Sequence, residues 1–200
     1  RLGRLGMTVL VGSRDPGNGQ VAAEELRQQG IDTRPLTLDV TDHATIECAR
    51  EQIDREFGRL DVLINNAGVS LERERRAPSE TPIETITRTY QTNVFGPISV
   101  INAMVDLLRR APTARVVNVS TTMGSSTIWS DPASPQRRFA PLLVAYDTSK
   151  AALNSATVHY ALELHDTGVK VNAASPGYVA TDLNGHQGQL VVTDEESVAP

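Results

Sequence analysis

The sequence predicts a doubly wound α/β domain, a parallel sheet with helices on both faces. Three observations carry this. Short β-branched apolar runs alternate with segments of helical periodicity along the chain. The apolar runs are continuous rather than alternating, as strands buried on both faces are. The helical segments carry start and stop signals, such as Asp42 before one of them and Gly58 after it. Strands alternating with helices close into right-handed βαβ units.

In chain order, the first strand is expected over 8–12 (TVLVG), with the tail of a helix (RLGRLG) before it. A helix, GQVAAEELRQQG, follows and ends at Gly30. TRPLTLDV reads as a strand, DHATIECAREQIDREFG as a helix, and LDVLINNAG as a buried strand running into a turn. A long helix spans 83–110, with Gly96 and Pro97 expected to kink it. ARVVNVST is a strand, AYDTSKAALNSATVHYALELHDTG a long helix, and VKVNAASPG a strand into a loop. Two segments break the alternation and are expected to be loops: SLERERRAPSETP (70–82) and SSTIWSDPASPQRRFAPLL (125–143). No repeat or second domain is visible, so residues 1–200 read as a single domain.

Composition excludes several functions. A net charge of −5 argues against a general nucleic-acid or anionic-membrane surface. No apolar run approaches the roughly eighteen residues of a membrane span. The lone cysteine, Cys48, cannot form an internal disulfide, which fits a reducing, cytoplasmic setting. It is expected to be a small core side chain on its helix. His43, His159, His165 and His186 have no metal-ligand spacing, so no metal is expected.

Chemistry concentrates at AYDTSKAAL. Tyr146 and Lys150 are four apart at the start of a helix and share a face. A cation beside a phenol lowers its pKa, so Tyr146 is expected to titrate nearer neutrality as a general acid or base. Seventeen of the nineteen basic residues are arginine, and the two lysines are Lys150 and Lys170, which makes a lysine here informative. The hydroxyls of Ser120 and Thr121 end the preceding strand, where open α/β sheets bind ligands. LINNAG ends another strand, with a glycine that lets a ligand approach the backbone. Asn93, a poor helix former, lies mid-helix before Gly96.

The ordered set NNAG, TNVFG, VVNVST, YDTSK and SPGYVATD resembles the short-chain dehydrogenase/reductase family, over about residues 8–183. The resemblance implies a Rossmann-like, three-layer α/β/α fold and an oxidoreductase moving hydride between NADP(H) and a carbonyl or alcohol. It implies that Tyr146 exchanges a proton with the substrate oxygen. Lys150 would lower the tyrosine pKa and hold the nicotinamide ribose, and Asn93 would order a water behind the lysine. Thr121 stands where family members usually carry the serine that polarises the carbonyl, with Ser120 as the fallback. The spacing from Thr121 to Tyr146, 146 − 121 = 25 residues, is longer than usual and points to the carbonyl-reductase-like branch. The inserted loop is expected to offer Trp129 and Phe139 as walls of the substrate pocket. A non-catalytic NADP(H)-binding sensor is the alternative. The charged run ERERR (72–76) reads as a solvated loop.

The glycines of VLVGSRDPGNGQ invite reading as a pyrophosphate loop, but the register from this stretch to NNAG is one βα unit short for that. The stretch instead resembles the end of the family's second strand. Arg14, with Ser13, would then face the ribose 2′-phosphate, and Gly12 and Gly17 would shape a turn. Asp39 and Val40 would meet the adenine. Asn66, Ala67, Gly68, Pro176, Gly177, Val179 and Thr181, with Tyr146 and Lys150, complete the expected cofactor contacts. On this register the family's first strand and glycine loop are expected to be missing, leaving a slot in the sheet, and the chain is expected to be cut at both ends. The resemblance also implies a homo-oligomer through helices 84–110 and 145–166, the family's usual assembly surface, although carbonyl-reductase-like members with the inserted loop can be monomers.

Overall fold

A computed structural model describes residues 1–72, 77–139, 143–188 and 190. Five strands and six helices follow in order: β1 (Val9–Ser13), α1 (Pro16–Gln28), β2 (Thr33–Thr37), α2 (His43–Phe57), β3 (Val62–Asn65), α3 (Ile83–Tyr90), α4 (Gly96–Arg110), β4 (Arg115–Val119), α5 (Ser126–Ser130), α6 (Val144–Glu163) and β5 (Lys170–Ala174). All strand pairs are parallel, and the architecture is a three-layer α/β/α fold.

Local chemistry sets most boundaries. Asp42 caps α2 by accepting from the Ala44 amide at 2.9 Å, and Gly58 ends it in the left-handed conformation at φ 67°. Asp15 caps α1, accepting from Asn18 N at 2.8 Å, with Pro16 at the first helical position. α1 therefore starts at once, which corrects the expected turn: Gly12 lies in β1 and Gly17 in the first turn of α1. Neither has a positive φ. Gly19 is buried because a Cβ there would lie 3.1 Å from Ser13 Cβ, so it lets α1 pack closely on β1.

Helices α3 and α4 are joined by a π turn, Gln91–Phe95, so the expected break at Gly96–Pro97 is a widened helical turn just before them. The 125–143 segment departs from a plain loop. Ser125 caps α5 by accepting from Ile128 N, and the Trp129 indole N–H donates to Met123 O at 2.6 Å. Cys48 is exposed, a correction to its expected burial. The buried stripe of α2 is Ile46, Ala49 and Ile53, and Cys48 falls outside it.

The main core lies where α2 and α4 pack together and against the sheet, around Ile46, Ile101, Met104, Leu107, Leu108 and Val116. The sheet itself is in two pieces, β1–β2 and β3–β4–β5. Val9 N donates to Asp32 O and Leu38 N to Ser13 O, so the odd-numbered backbone of β1 turns to β2. Leu10 and Gly12 therefore turn the other way. Arg115 N donates to Asp61 O, which turns Asp61, Leu63 and Asn65 to β4, and Val62 and Ile64 away from it. Between these two edges runs a channel of about 990 Å³, lined by Leu10, Leu38, Val62, Ile64, Val100 and Met104 among others. Ile64, at the centre of β3, is 45% exposed. The expected slot in the sheet is therefore present, with apolar walls and one strand edge on each side.

Candidate active site

Because every strand is parallel, the carboxyl ends of all five share one edge. That edge gathers Ser13 and Arg14 after β1, Asp39 and Val40 after β2, Asn66–Gly68 after β3, Ser120 and Thr121 after β4, and Pro176–Thr181 after β5.

Helix α6 brings Tyr146 and Lys150 to this edge, one turn apart. Lys150 is 5% exposed, and its Nζ donates to Val119 O at 2.8 Å. Nζ stands 5.8 Å from the centroid of the Tyr146 ring. The approach of the 3-10 turn after β4 (Thr122–Gly124) to α6 needs Gly124, where a Cβ would come within 2.8 Å of Ala151 N. Gly68 faces the same place, since a Cβ there would lie 3.6 Å from Lys150 Nζ and from Asn93 Oδ1.

The electrostatics differ from the expected activation. Burial and then the charge of the adjacent buried Asp147 push the Tyr146 phenol above its ordinary value. Burial pulls Lys150 down to about 8.

Ser120 is buried and donates its hydroxyl to Asn154 Oδ1 at 2.6 Å. Thr121 is only partly buried, and its hydroxyl accepts a long 3.3 Å bond from Met123 N. Of the two hydroxyls, Thr121 is the freer to meet a ligand. Asn93 is fully buried in the π turn. Its Oδ1 accepts from Val69 N at 2.8 Å, and its Nδ2 donates to Val69 O and to Ser149 Oγ. Ser149 Oγ in turn donates to Tyr146 O at 2.7 Å. The Asn93 side chain therefore ties Val69, just after the NNAG turn, to the Tyr146 helix, with both of its amide hydrogens used.

Around the nucleotide end, Asp39 Oδ1 accepts from the Thr41 hydroxyl and amide. These bonds, with a smaller contribution from nearby Arg14, hold its carboxyl below the ordinary value. Arg14 is exposed. Ser13 Oγ bonds Asp15 O. Val40 packs on Gly96, where a Cβ would meet Val40 Cγ2 at 2.8 Å. Gly177 has φ 81°, Val179 forms a bridge with Leu190, and Thr181 starts a short 3-10 turn. Pro176, Asn66 and Ala67 lie on the loops between these points. Trp129 is held by Met123 O, while the Phe139 side chain lies outside the described residues.

Sequence reasoning missed four residues. Asn65 Nδ2 donates to Asn118 Oδ1, and Asn118 Nδ2 to Thr157 Oγ1, a buried ladder from β3 through β4 to α6. Asn118 was visible inside NVST, but nothing in the sequence pointed to Thr157 as its partner. Glu72 was read as a solvated loop residue, yet it is partly buried and bonds the start of α6. Among the described residues no cluster of three or more His, Cys, Asp or Glu could hold a metal, and no helix is long and apolar enough to cross a membrane.

A parallel α/β/α fold with Tyr146, Lys150 and Thr121 at the carboxyl ends of its strands is a Rossmann-like architecture. The family model for short chain dehydrogenase matches residues 1–190, and the chain belongs to that family, whose members are oxidoreductases using nicotinamide cofactors. It is 38% identical to a short-chain dehydrogenase/reductase of Stachybotrys chlorohalonatus, over 88% of this chain and 62% of that protein. It is 30% identical to (+)-neomenthol dehydrogenase of Arabidopsis thaliana, over 98% of this chain and 83% of that protein. Salutaridine reductase of Papaver somniferum superposes with a TM-score of 0.77 at 26% identity, covering 95% of this chain and 84% of that one.

Proposed function

We propose that this protein reduces a ketone or aldehyde, or oxidises the corresponding alcohol, with NADP(H). The observation that carries the reading is the pair Tyr146 and Lys150 on one face of α6, with Lys150 Nζ fixed on Val119 O and the side-chain-free Gly68 close beside it. Bound nicotinamide supplies or accepts the hydride. Thr121 donates a hydrogen bond to the substrate oxygen, and Tyr146 gives that oxygen its proton on reduction or removes it on oxidation. Asn93, buried beside Gly68 and Lys150, orders a water behind the lysine. Burial and the Asp147 charge favour the protonated phenol.

The nucleotide end fits in part. Arg14 and Ser13 suit a 2′-phosphate, and Asp39 with Val40 suits an adenine. Asn66, Ala67 and Gly68 suit the nucleoside that spans β3, and Pro176, Gly177, Val179 and Thr181 suit the nicotinamide. The pyrophosphate is different: the N-terminus of α1 already holds the Asp15 carboxylate, which opposes a second anion there. No other glycine-rich turn follows a strand of β1–β2 among the described residues. This chain should therefore bind NADPH weakly. Fluorescence titration checks this, and micromolar binding would refute it.

Exposed Phe95, Val158 and Leu162 on the helices of 84–110 and 145–166 suit pairing with a second copy in the cytoplasm. Tyr146→Phe in the natural protein tests the central reading. Carbonyl-dependent NADPH oxidation should fall by about 10²–10⁴-fold, the usual contribution of a general acid. Unchanged turnover removes Tyr146 from this role.

A further inference from the structure

Helix α6 begins without a cap of its own. Leu143 stands at its N-cap position and supplies no side-chain bond. The first amides of a helix have no intrahelical acceptors, and the macrodipole favours an anion beside them. Glu72 meets that need from far along the chain. Its Oε1 accepts from Ala145 N at 3.2 Å and its Oε2 from Tyr146 N at 3.0 Å. One carboxylate thus holds two successive amides, the second of them the amide of Tyr146 itself.

The same short segment is braced a second time. Four residues before Glu72, the NNAG turn ends at Gly68, and Val69 is bonded in both directions by Asn93. Asn93 also donates to Ser149, whose hydroxyl donates to Tyr146 O. Glu72 of this strap therefore holds the Tyr146 N–H directly, while Asn93, which braces the strap at Val69, also bonds Ser149 of α6, whose hydroxyl donates to the Tyr146 C=O.

We propose that Glu72 is a positioning residue, fixing the first turn of α6 and with it the place of the Tyr146 phenol. The proposal rests on Tyr146 acting as the proton-transfer group. Proton transfer is sensitive to displacements near an ångström, so loosening one helical turn lowers rate more than binding. A gain of helix stability alone would give the ordinary effect of a lost cap and leave the rate per folded molecule intact.

The test compares Glu72→Ala and Glu72→Gln with the parent in the natural protein. Per folded molecule, Glu72→Ala should lower kcat by about tenfold, with KM for NADPH and for the carbonyl substrate within about twofold. Glu72→Gln keeps one acceptor oxygen but sets an NH2 against the second amide, so it should lie between. Hydrogen exchange at the Ala145 and Tyr146 amides should quicken by about tenfold in Glu72→Ala, whatever the activity. Unchanged kcat in both variants, or a loss confined to the folded fraction, overturns the proposal. Unchanged exchange at the two amides overturns it independently, including where Glu72→Ala folds too poorly for kinetics and Glu72→Gln is measured instead. If Tyr146→Phe keeps full turnover while exchange still quickens, the catalytic reading fails and the rate claim for Glu72 with it. If Tyr146→Phe is inactive and the Glu72 variants match the parent, only the Glu72 proposal fails.

Discussion

Around β3, β4 and β5 the polar side chains are buried and tied across long stretches of chain: Asn65 to Asn118 to Thr157, Lys150 to Val119, Asn93 to Val69 and Ser149. Around β1 and β2 the residues offered to a cofactor are exposed or bonded to close neighbours, Ser13 to Asp15 and Asp39 to Thr41. The two halves face each other across the channel rather than through a shared ladder. The contrast matches their proposed tasks. Proton transfer needs groups fixed to a fraction of an ångström, while attraction of a phosphate by an arginine tolerates motion because Coulomb energy falls slowly with distance.

Lys150 is the strongest test of the rigid half. Lys150→Met should lower carbonyl reduction by about 10²-fold, the scale of a group that assists proton transfer. In the parent, reduction should decline as pH rises past about 8, where Lys150 loses its proton, and Lys150→Arg should lack that limb. The stability sign is opposite to the activity sign. With the folded pKa lowered from 10.5 to about 8, the unfolded chain binds more protons between these values. Burying the charged lysine thus opposes folding fully below pH 8, and this penalty fades as pH rises toward 10.5. Lys150→Met should accordingly keep or raise the midpoint of thermal unfolding at pH 7 while activity falls. A lower midpoint would show that the Val119 bond outweighs desolvation.

Breaking the buried ladder comes next. Asn118→Ala leaves the buried Asn65 amide without its partner, while the Thr157 hydroxyl keeps Leu153 O, and should destabilise the fold by about 1–3 kcal/mol, read as a shift in the denaturant midpoint. In the exposed half, Arg14→Ala should leave stability within about 0.5 kcal/mol. It should weaken NADPH relative to NADH by about tenfold, in line with the loss of one charge-assisted contact. A preference that does not move would separate Arg14 from the 2′-phosphate and leave the β1–β2 half without its proposed role. Smallest of all, Cys48→Ser should change neither stability nor rate, because that side chain is exposed on α2.

By itself the sequence determined the order of strands and helices, the Asp42 cap and Gly58 stop of α2, and the positions of Tyr146, Lys150, Asn93, Ser120 and Thr121 along the chain. These follow from periodicity and from bonds between near neighbours, which local composition dictates. It also placed the slot in the sheet, through the register from VLVGSRDPGNGQ to NNAG.

Only the tertiary structure decided the rest. It set Cys48 outside the buried stripe of α2 and turned a presumed loop into α5. It made the glycines after β1 part of a strand and a helix. It sealed Ser120 against Asn154 and left Thr121 the freer hydroxyl. It raised Tyr146, because burial, the larger cause, is set by packing, whereas the sequence showed only its charged neighbours, Asp147 beside it and a lysine one turn away. It also brought Glu72 to the head of α6 across 74 residues, and Asn118 to Thr157 across 39. Such contacts depend on how helices stack on the sheet, and no local pattern of residues encodes that stacking.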